Sequence, residues 1–213
     1  MKTSALLPIA AIVSLCLIFS CSSTNNDEPH SGEFSVSDTQ KVVFAKHNLK
    51  HSDTVLFAFN HYGAIPQGWR VLNAKEWQYL ILQRPNALNL TLWATVKGVK
   101  GVLLLPDGFN TNALKLTHIQ PQTLKPWSDQ IRLADSNADP AAKNILTDVQ
   151  VTQLDQAGAI FLPLNIGNEG GYWQTGDSFL SLGSTFIWPA RGCNTSAYRF
   201  GIRLAKDITA SAK

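Results

Sequence analysis

The chain has 213 residues, room for one domain or for one domain with appendages. Apolar residues make up 45% and charged residues 15%, the balance of a globular protein and not of a disordered one. The net charge of +3 comes from 18 basic and 15 acidic residues scattered without a Lys/Arg run, so nothing marks a nucleic-acid surface.

Residues 1–20 differ from the rest. Lys2 is followed by an apolar run, Ala5 to Phe19, broken only by Pro8 and Ser14. The run is short for a mature membrane helix and suits a secretory signal peptide. It ends in Ile18-Phe19-Ser20-Cys21, which resembles the lipobox of bacterial lipoproteins: a branched aliphatic, a small residue just before the cysteine, then the cysteine. Phe19 departs from the pattern. The resemblance implies lipidation of Cys21, palmitate included, and Cys21 as the mature N-terminus; the alternative is an ordinary signal peptide cleaved nearby. Several acyl chains anchor a protein stably where one is marginal. Of three cysteines, Cys16 leaves with the signal and Cys21 carries lipid, so Cys193 has no partner for an internal disulfide. Residues 21–32, lipidated Cys and the polar Ser22 to Gly32, read as a flexible tether. Asp27 and Glu28 are a weak form of the acidic signal associated with surface export in lipoproteins of the Bacteroides group.

Residues 33–208 read as a single domain, followed by a tail, 209–213. Phe34 to Ser37 alternates as a short strand, and Ser37 to Gln40 is turn chemistry. Val42 to Phe44 and Val55 to Phe59 are strand-like. Asn73 stands three residues before Glu76, close to a capping box, and Trp77, Leu80 and Ile81 recur at helical spacing. The spacing predicts an amphipathic helix from Ala74 to about Gln83, ended by Pro85. Trp93 to Leu105 is strand material interrupted by Gly98 and Gly101, a tight turn or a bulge between two short strands. Pro106-Asp107-Gly108 is a turn. Asn110 to Asn144 lacks periodicity and reads as a long irregular insertion. Thr147 to Gln156 is a second helix, with Val149, Leu154 and Val151 as candidates for its inner face and Gly158 as its C-cap. Ala159 to Leu164 is a buried strand. Arg199 to Leu204 alternates apolar and basic positions, a half-buried strand. The fold class is α+β, not alternating βαβ.

Several segments resemble the Fibrobacter succinogenes major paralogous domain family. They are Phe34 to Ser37 with Lys41 to Phe44 and Asn48-Leu49; Gly68 to Leu72 with Glu76-Trp77 and Leu80; Ala94 to Gly98 with Gly101 to Asp107; Ala157 to Pro163; Gly171 to Trp173; and Gly201 to Leu204. Their order covers residues 34 to 206. The resemblance implies a C-type lectin-like fold: a twisted antiparallel sheet in which the two chain ends pair, two helices, and long irregular loops forming a ligand surface. It makes Phe200, Ile202 and Leu204 core of the last strand, and Trp173 core as well. The loop face then carries Trp188, Arg191, Asn194, Ser196 and Tyr198, rigid aromatics, arginine and small polar residues of the kind that binding surfaces favour. The bland alternative is that these residues pack the loops on each other.

Catalytic and metal motifs are weak. The formylglycine-generating oxidases resemble this scaffold but use a cysteine pair, and only Cys193 stands here. His47 and His51 are four apart in a segment that reads as strand or turn, with His61 further on and no HExxH pattern. Calcium-dependent lectins use Glu-Pro-Asn or Gln-Pro-Asp; the nearest sequence, Leu105-Pro106-Asp107, begins with a residue that cannot coordinate. Asp53, Glu76, Asp107, Asp129 and Glu169 are scattered, and Glu76 reads as a helix cap. The expectation is a lipid-anchored outer-membrane protein, surface-exposed, that binds an extracellular glycan or protein without catalysis, cofactor, metal or nucleic acid. The rival is a structural subunit of an envelope or pilus-like assembly.

Overall fold

A computed structural model describes residues 29–49, 57–58, 64–126, 129–164, 169–176, 178–192 and 199–208. In chain order the strands are Phe34–Ser35 (β1), Lys41–Asn48 (β2), Phe57–Ala58 (β3), Arg70–Val71 (β4), Thr91–Val96 (β5), Val99–Leu104 (β6), Ile131–Arg132 (β7), Ile145–Leu146 (β8), Ile160–Pro163 (β9), Glu169–Trp173 (β10), Ser178–Gly183 (β11), Phe186–Gly192 (β12), Arg199–Phe200 (β13) and Arg203–Asp207 (β14). The α-helices are Ala74–Gln78 (α1) and Asp148–Gln156 (α2). The described residues are therefore α+β, mostly sheet with two short α-helices.

Three four-stranded sheets have the orders β1-β2-β14-β4, β8-β5-β6-β9 and β10-β11-β12-β7, and β13 pairs with β3. The first joins the two ends of the described chain: β14 runs antiparallel to β2, with Ala205 opposite Phe44. Arg70 fastens this sheet to α1. Its guanidinium donates to both Glu76 oxygens at 2.9 and 2.7 Å and to Asp207 at 2.7 Å. The hydrogen bond from Arg70 holds the Asp207 carboxyl below the usual carboxylate range.

Helix α1 starts as its sequence dictates. The Asn73 side chain accepts from the Glu76 N–H, and a Glu76 oxygen accepts from the Asn73 N–H at 2.7 Å. Trp77, Leu80 and Ile81 are all buried in the main core. The helix does not remain α-helical to Gln83. It widens into a π-turn over Tyr79–Gln83, and Arg84 N–H reaches back five residues to Tyr79 O at 2.8 Å. The widening carries Arg84 into the core, with its side chain fully buried against Asp107.

The β5–β6 hairpin turns at Lys97-Gly98, both at positive φ. Gly101 lies within β6 where a side chain would strike the Phe161 ring and the Leu162 carbonyl. The helix α2 also has a capping box, Thr147 with Gln150, and Gly158 ends its last turn at φ 77°. Leu154 faces in and Val151 packs beside it, but Val149 is 67% exposed. Five residues of helix place Val149 about 140° from Leu154, off the inner face.

The segment 110–144 is not structureless. It holds 3₁₀ turns at Thr111–Leu114, Pro121–Thr123 and Pro140–Lys143, and strand β7, which joins the third sheet. The last stretch also departs from simple alternation. Phe200, Ile202 and Leu204 are core, as is Trp173. Arg203 is not on a solvent face: it is 2% exposed, donating to the carbonyls of Ala45, Lys46 and Phe161 at 3.1, 2.8 and 2.9 Å. Those bonds tie the sheet of the chain ends to β9.

Candidate functional site

Residues that pair directly across antiparallel strands share a face. In the third sheet, Tyr172, Leu180, Leu182 and Ile187 fall on one face and enter the main core. Glu169, Gly171, Trp173, Phe179, Ser181, Gly183, Phe186, Trp188 and Arg191 fall on the other, and Arg132 joins them opposite Phe186.

Half of that outer face is closed. Phe200 lies on the backbone of Gly171, where a side chain could not fit, and stacks on Phe179 with ring centroids 4.3 Å apart. Trp173 meets Phe200 edge-on at 4.9 Å. The other half is only partly covered. Phe186 lies over Gly183 in the same manner, and Phe186, Trp188, Arg132 and Arg191 are all half-buried.

Arg191 sits between the two halves. Its guanidinium carbon is 5.6 Å from the Trp188 ring and 5.8 Å from the Phe179 ring, within the range of cation–π attraction. One nitrogen lies 3.5 Å from Ser181 Oγ, a long contact that leaves most of its five N–H donors uncommitted among the described residues. Arg132 caps Phe186 similarly at 5.6 Å. Trp188 Nε1 is buried and, among the described residues, finds no hydrogen-bond partner. The strand beneath is pinned: the Gln174 amide donates to the Pro189 carbonyl, and Gln174 Oε1 accepts from Ser178 Oγ at 3.0 Å. Gln174 is 3% exposed.

Trp188 and Arg191 are thus brought together. Asn194, Ser196 and Tyr198 lie outside the described residues, as do Cys21, Cys193, Asp53, His51 and His61. His47 is exposed on β2. Phe179 and Ser181 had no local signal in sequence, because they reach Arg191 only through strand register.

Two of the candidate acids, Asp107 and Glu76, are occupied. Asp107 accepts from the Ser35 N–H at 2.8 Å, from the Ser35 hydroxyl at 2.6 Å and from Arg84 at 3.1 Å. Burial lowers the Arg84 guanidinium to about 10 in spite of that carboxylate. Glu76 is spent on its cap and on Arg70.

A cleft of about 490 Å³ opens within the former insertion. Trp93, Ile119 and Leu133 are buried in its wall, and Gln122, Asp135 and Lys143 stand exposed around it. Asn144 fixes its frame, donating to the carbonyls of Trp93 and Thr117 at 2.8 and 2.9 Å and accepting from the Thr117 N–H at 2.8 Å. Leu133 and Arg132 are successive residues, so the cleft and the Arg191 face lie on opposite sides of the same strand end.

No family model, no curated protein and no solved structure matches this chain. Among the described residues, no helix is long and apolar enough to cross a membrane.

Proposed function

We propose that this protein is a binding module of C-type lectin-like fold, lipid-anchored at Cys21 to the outer membrane and exposed at the cell surface, which recognises an extracellular ligand without catalysis. The observation that carries the reading is the partly covered half of the third sheet, where Arg191 is stacked between Trp188 and Phe179. Such a face offers apolar area, a planar donor fork and little conformational freedom to lose on binding. The pairing of β2 with β14, the two short helices and the long 110–144 segment are features a lectin-like fold would have. The absence of catalysis is inferred from how the acids are used: Glu76 and Asp107 are committed to arginines and backbone N–H groups. The cleft beside Trp93 has a mixed wall in which polar side chains, His118, Asp135 and Lys143 among them, outnumber aliphatic ones, and among the described residues it lacks an orienting stack of the Arg191 kind.

The test is a screen of the full chain, purified in detergent, against glycans and against solubilised envelope and host-surface proteins, with calcium and with chelator. A saturable ligand lost in both Arg191→Ala and Trp188→Ala, with unchanged melting temperatures, supports the reading. Self-association or capture of envelope neighbours that survives both substitutions favours a structural subunit instead.

A further inference from the structure

We infer that the ligand of the Arg191 face carries a carboxylate on a sugar ring: the site is built for an acidic glycan of the uronate class. The inference rests on the proposed binding role of this face and specifies its ligand.

Two chemistries meet there. The first is a flat aromatic surface. Trp188 and Phe186 are two residues apart on β12, so both rings stand on the outer face and both are half-buried. Partly exposed rings of this kind accept the apolar C–H face of a pyranose. The second is an unneutralised planar cation. Arg191 lies against two rings and makes one long contact to a hydroxyl, so its fork is oriented without being consumed by a carboxylate of the described protein. A guanidinium held in this way matches a carboxylate with two parallel N–H···O bonds, which an ammonium cannot do.

The charge pattern agrees. The charged residues within β7, β10, β11 and β12 are Arg132, Arg191 and Glu169. Glu169 pairs with Gly183, whereas Arg191 pairs with Phe179, which stands opposite Trp173. Four residues of strand separate Glu169 from Trp173, about 13 Å. The acid of this sheet therefore sits at the far end from Arg191. A neutral sugar would leave the fork facing water, whereas a uronate fills it while its ring lies on Trp188.

The experiment compares one polymer in two charge states. The full chain in detergent is titrated with oligogalacturonate and with the same oligomer as its methyl ester, at low and at moderate salt. Tighter binding of the acid, by about ten- to a hundred-fold, is expected for a charge-assisted bidentate contact. Raising the salt should weaken the acid form and leave the ester unchanged. Arg191→Ala should bring the acid down to the ester's affinity. Arg191→Lys should recover only part of the difference, since it keeps charge and loses the fork. Trp188→Phe, a mild change in packing, should weaken acid and ester together.

Ester binding as tight as acid binding, with loss in Trp188→Phe, overturns the uronate and leaves the binding face standing. Acid binding that Arg191→Ala does not alter places the contact elsewhere and overturns the inference. No binding of either oligomer by a protein that does capture another ligand through Arg191 also overturns it. Failure of every ligand in the broader screen removes the binding role itself.

Discussion

Arg84 and Asp107 allow a sharp test of what a buried pair contributes. The Arg84 side chain is fully buried, and that of Asp107 is 21% exposed. Around the guanidinium are one Asp107 oxygen at 3.1 Å, the Leu90 carbonyl at 3.3 Å and the Phe34 ring at 5.6 Å. Burial depresses its pKa to about 10, so the site as a whole disfavours the charge even with the carboxylate present. Arg84 is nonetheless protonated at neutral pH. Asp107→Asn keeps the shape but removes the counter-charge, and it sets an amide donor against donors from Ser35 or Arg84. Breaking a buried pair from one side costs about 3–5 kcal/mol; partial exposure of Asp107 and the remaining Leu90 contact argue for the lower end, about 3. For a domain of this size that is a fall in Tm of about 6–12 °C. Arg84→Met removes the buried charge instead and fills similar space. Asp107 keeps both Ser35 donors and an approach to water, so this change should cost about 1 kcal/mol or less. Thermal and urea unfolding of both variants decide the matter. If Arg84→Met is the more damaging, the pair is a net stabiliser; if Asp107→Asn costs under about 1 kcal/mol, the counter-charge contributes little; either outcome refutes the reasoning.

Other consequences are simpler to check. Gly158→Ala forces a positive φ on a side chain that would overlap the backbone of Gly32, so it should lose about 2 kcal/mol or more in urea midpoint and loosen the segment that enters the domain. His30 is 5% exposed, and burial, opposed in part by Asp155, lowers its pKa below 6.5. The unfolded chain then binds more protons than the folded one, so stability should fall as pH drops through about 6.5 toward the lower folded value, and His30→Gln should flatten that loss in a pH series of melts. Asp207 has the opposite sense. Its lowered pKa contributes stability that is present above about pH 4 and lost as pH falls through the folded value; exposure keeps the effect below about 1 kcal/mol, and Asp207→Asn should abolish it. Val149→Lys should be neutral within about 0.5 kcal/mol, whereas Leu154→Ala should cost about 2–4 kcal/mol by chemical unfolding.

Local chemistry was legible where it is decided locally. The capping box at Asn73 and Glu76, the turn at Gly98 and the helix stop at Gly158 each follow from a few neighbouring residues, and each is present. Long-range pairings were less legible. Nothing near Arg84 announces a π-turn, which goes with the burial of its guanidinium on an aspartate 23 residues away. Arg203 sits at an alternating position that reads as solvent-facing, yet three carbonyls from β2 and β9 satisfy it in the interior. Strand β7 has two residues, too few to show a period, and only its partner β12 makes it a strand. The composition of the candidate site was readable from Trp188 and Arg191. Its geometry was not, since register alone sets Phe179 beside them. The cleft was wholly illegible, being assembled from Trp93 and from residues between 117 and 144.

The position of Trp188 and Arg191 changes the kind of binding site proposed for them. Sequence placed them on a loop face, where binding residues are adaptable and ordering them on binding carries an entropic cost. They stand instead on β12, inside a sheet whose opposite face is the main core. Side chains on such a sheet cannot drift without disturbing Leu182 and Ile187, which hold the core through the same strands. Two glycines complete the arrangement. Gly171 lets Phe200 lie flat and close one half of the face, and Gly183 does the same for Phe186 beside the partly covered half. The closed half supplies Phe179, which bears on the Arg191 guanidinium from the core side, while Trp188 bears on it from within β12. The fork is therefore oriented by packing before any ligand arrives. A face needed only for stability would gain more from an aliphatic residue at position 191 than from a half-buried cation with most of its donors uncommitted among the described residues. Retaining the cation on a preorganised aromatic floor makes physical sense if something outside the described protein completes its hydrogen bonds.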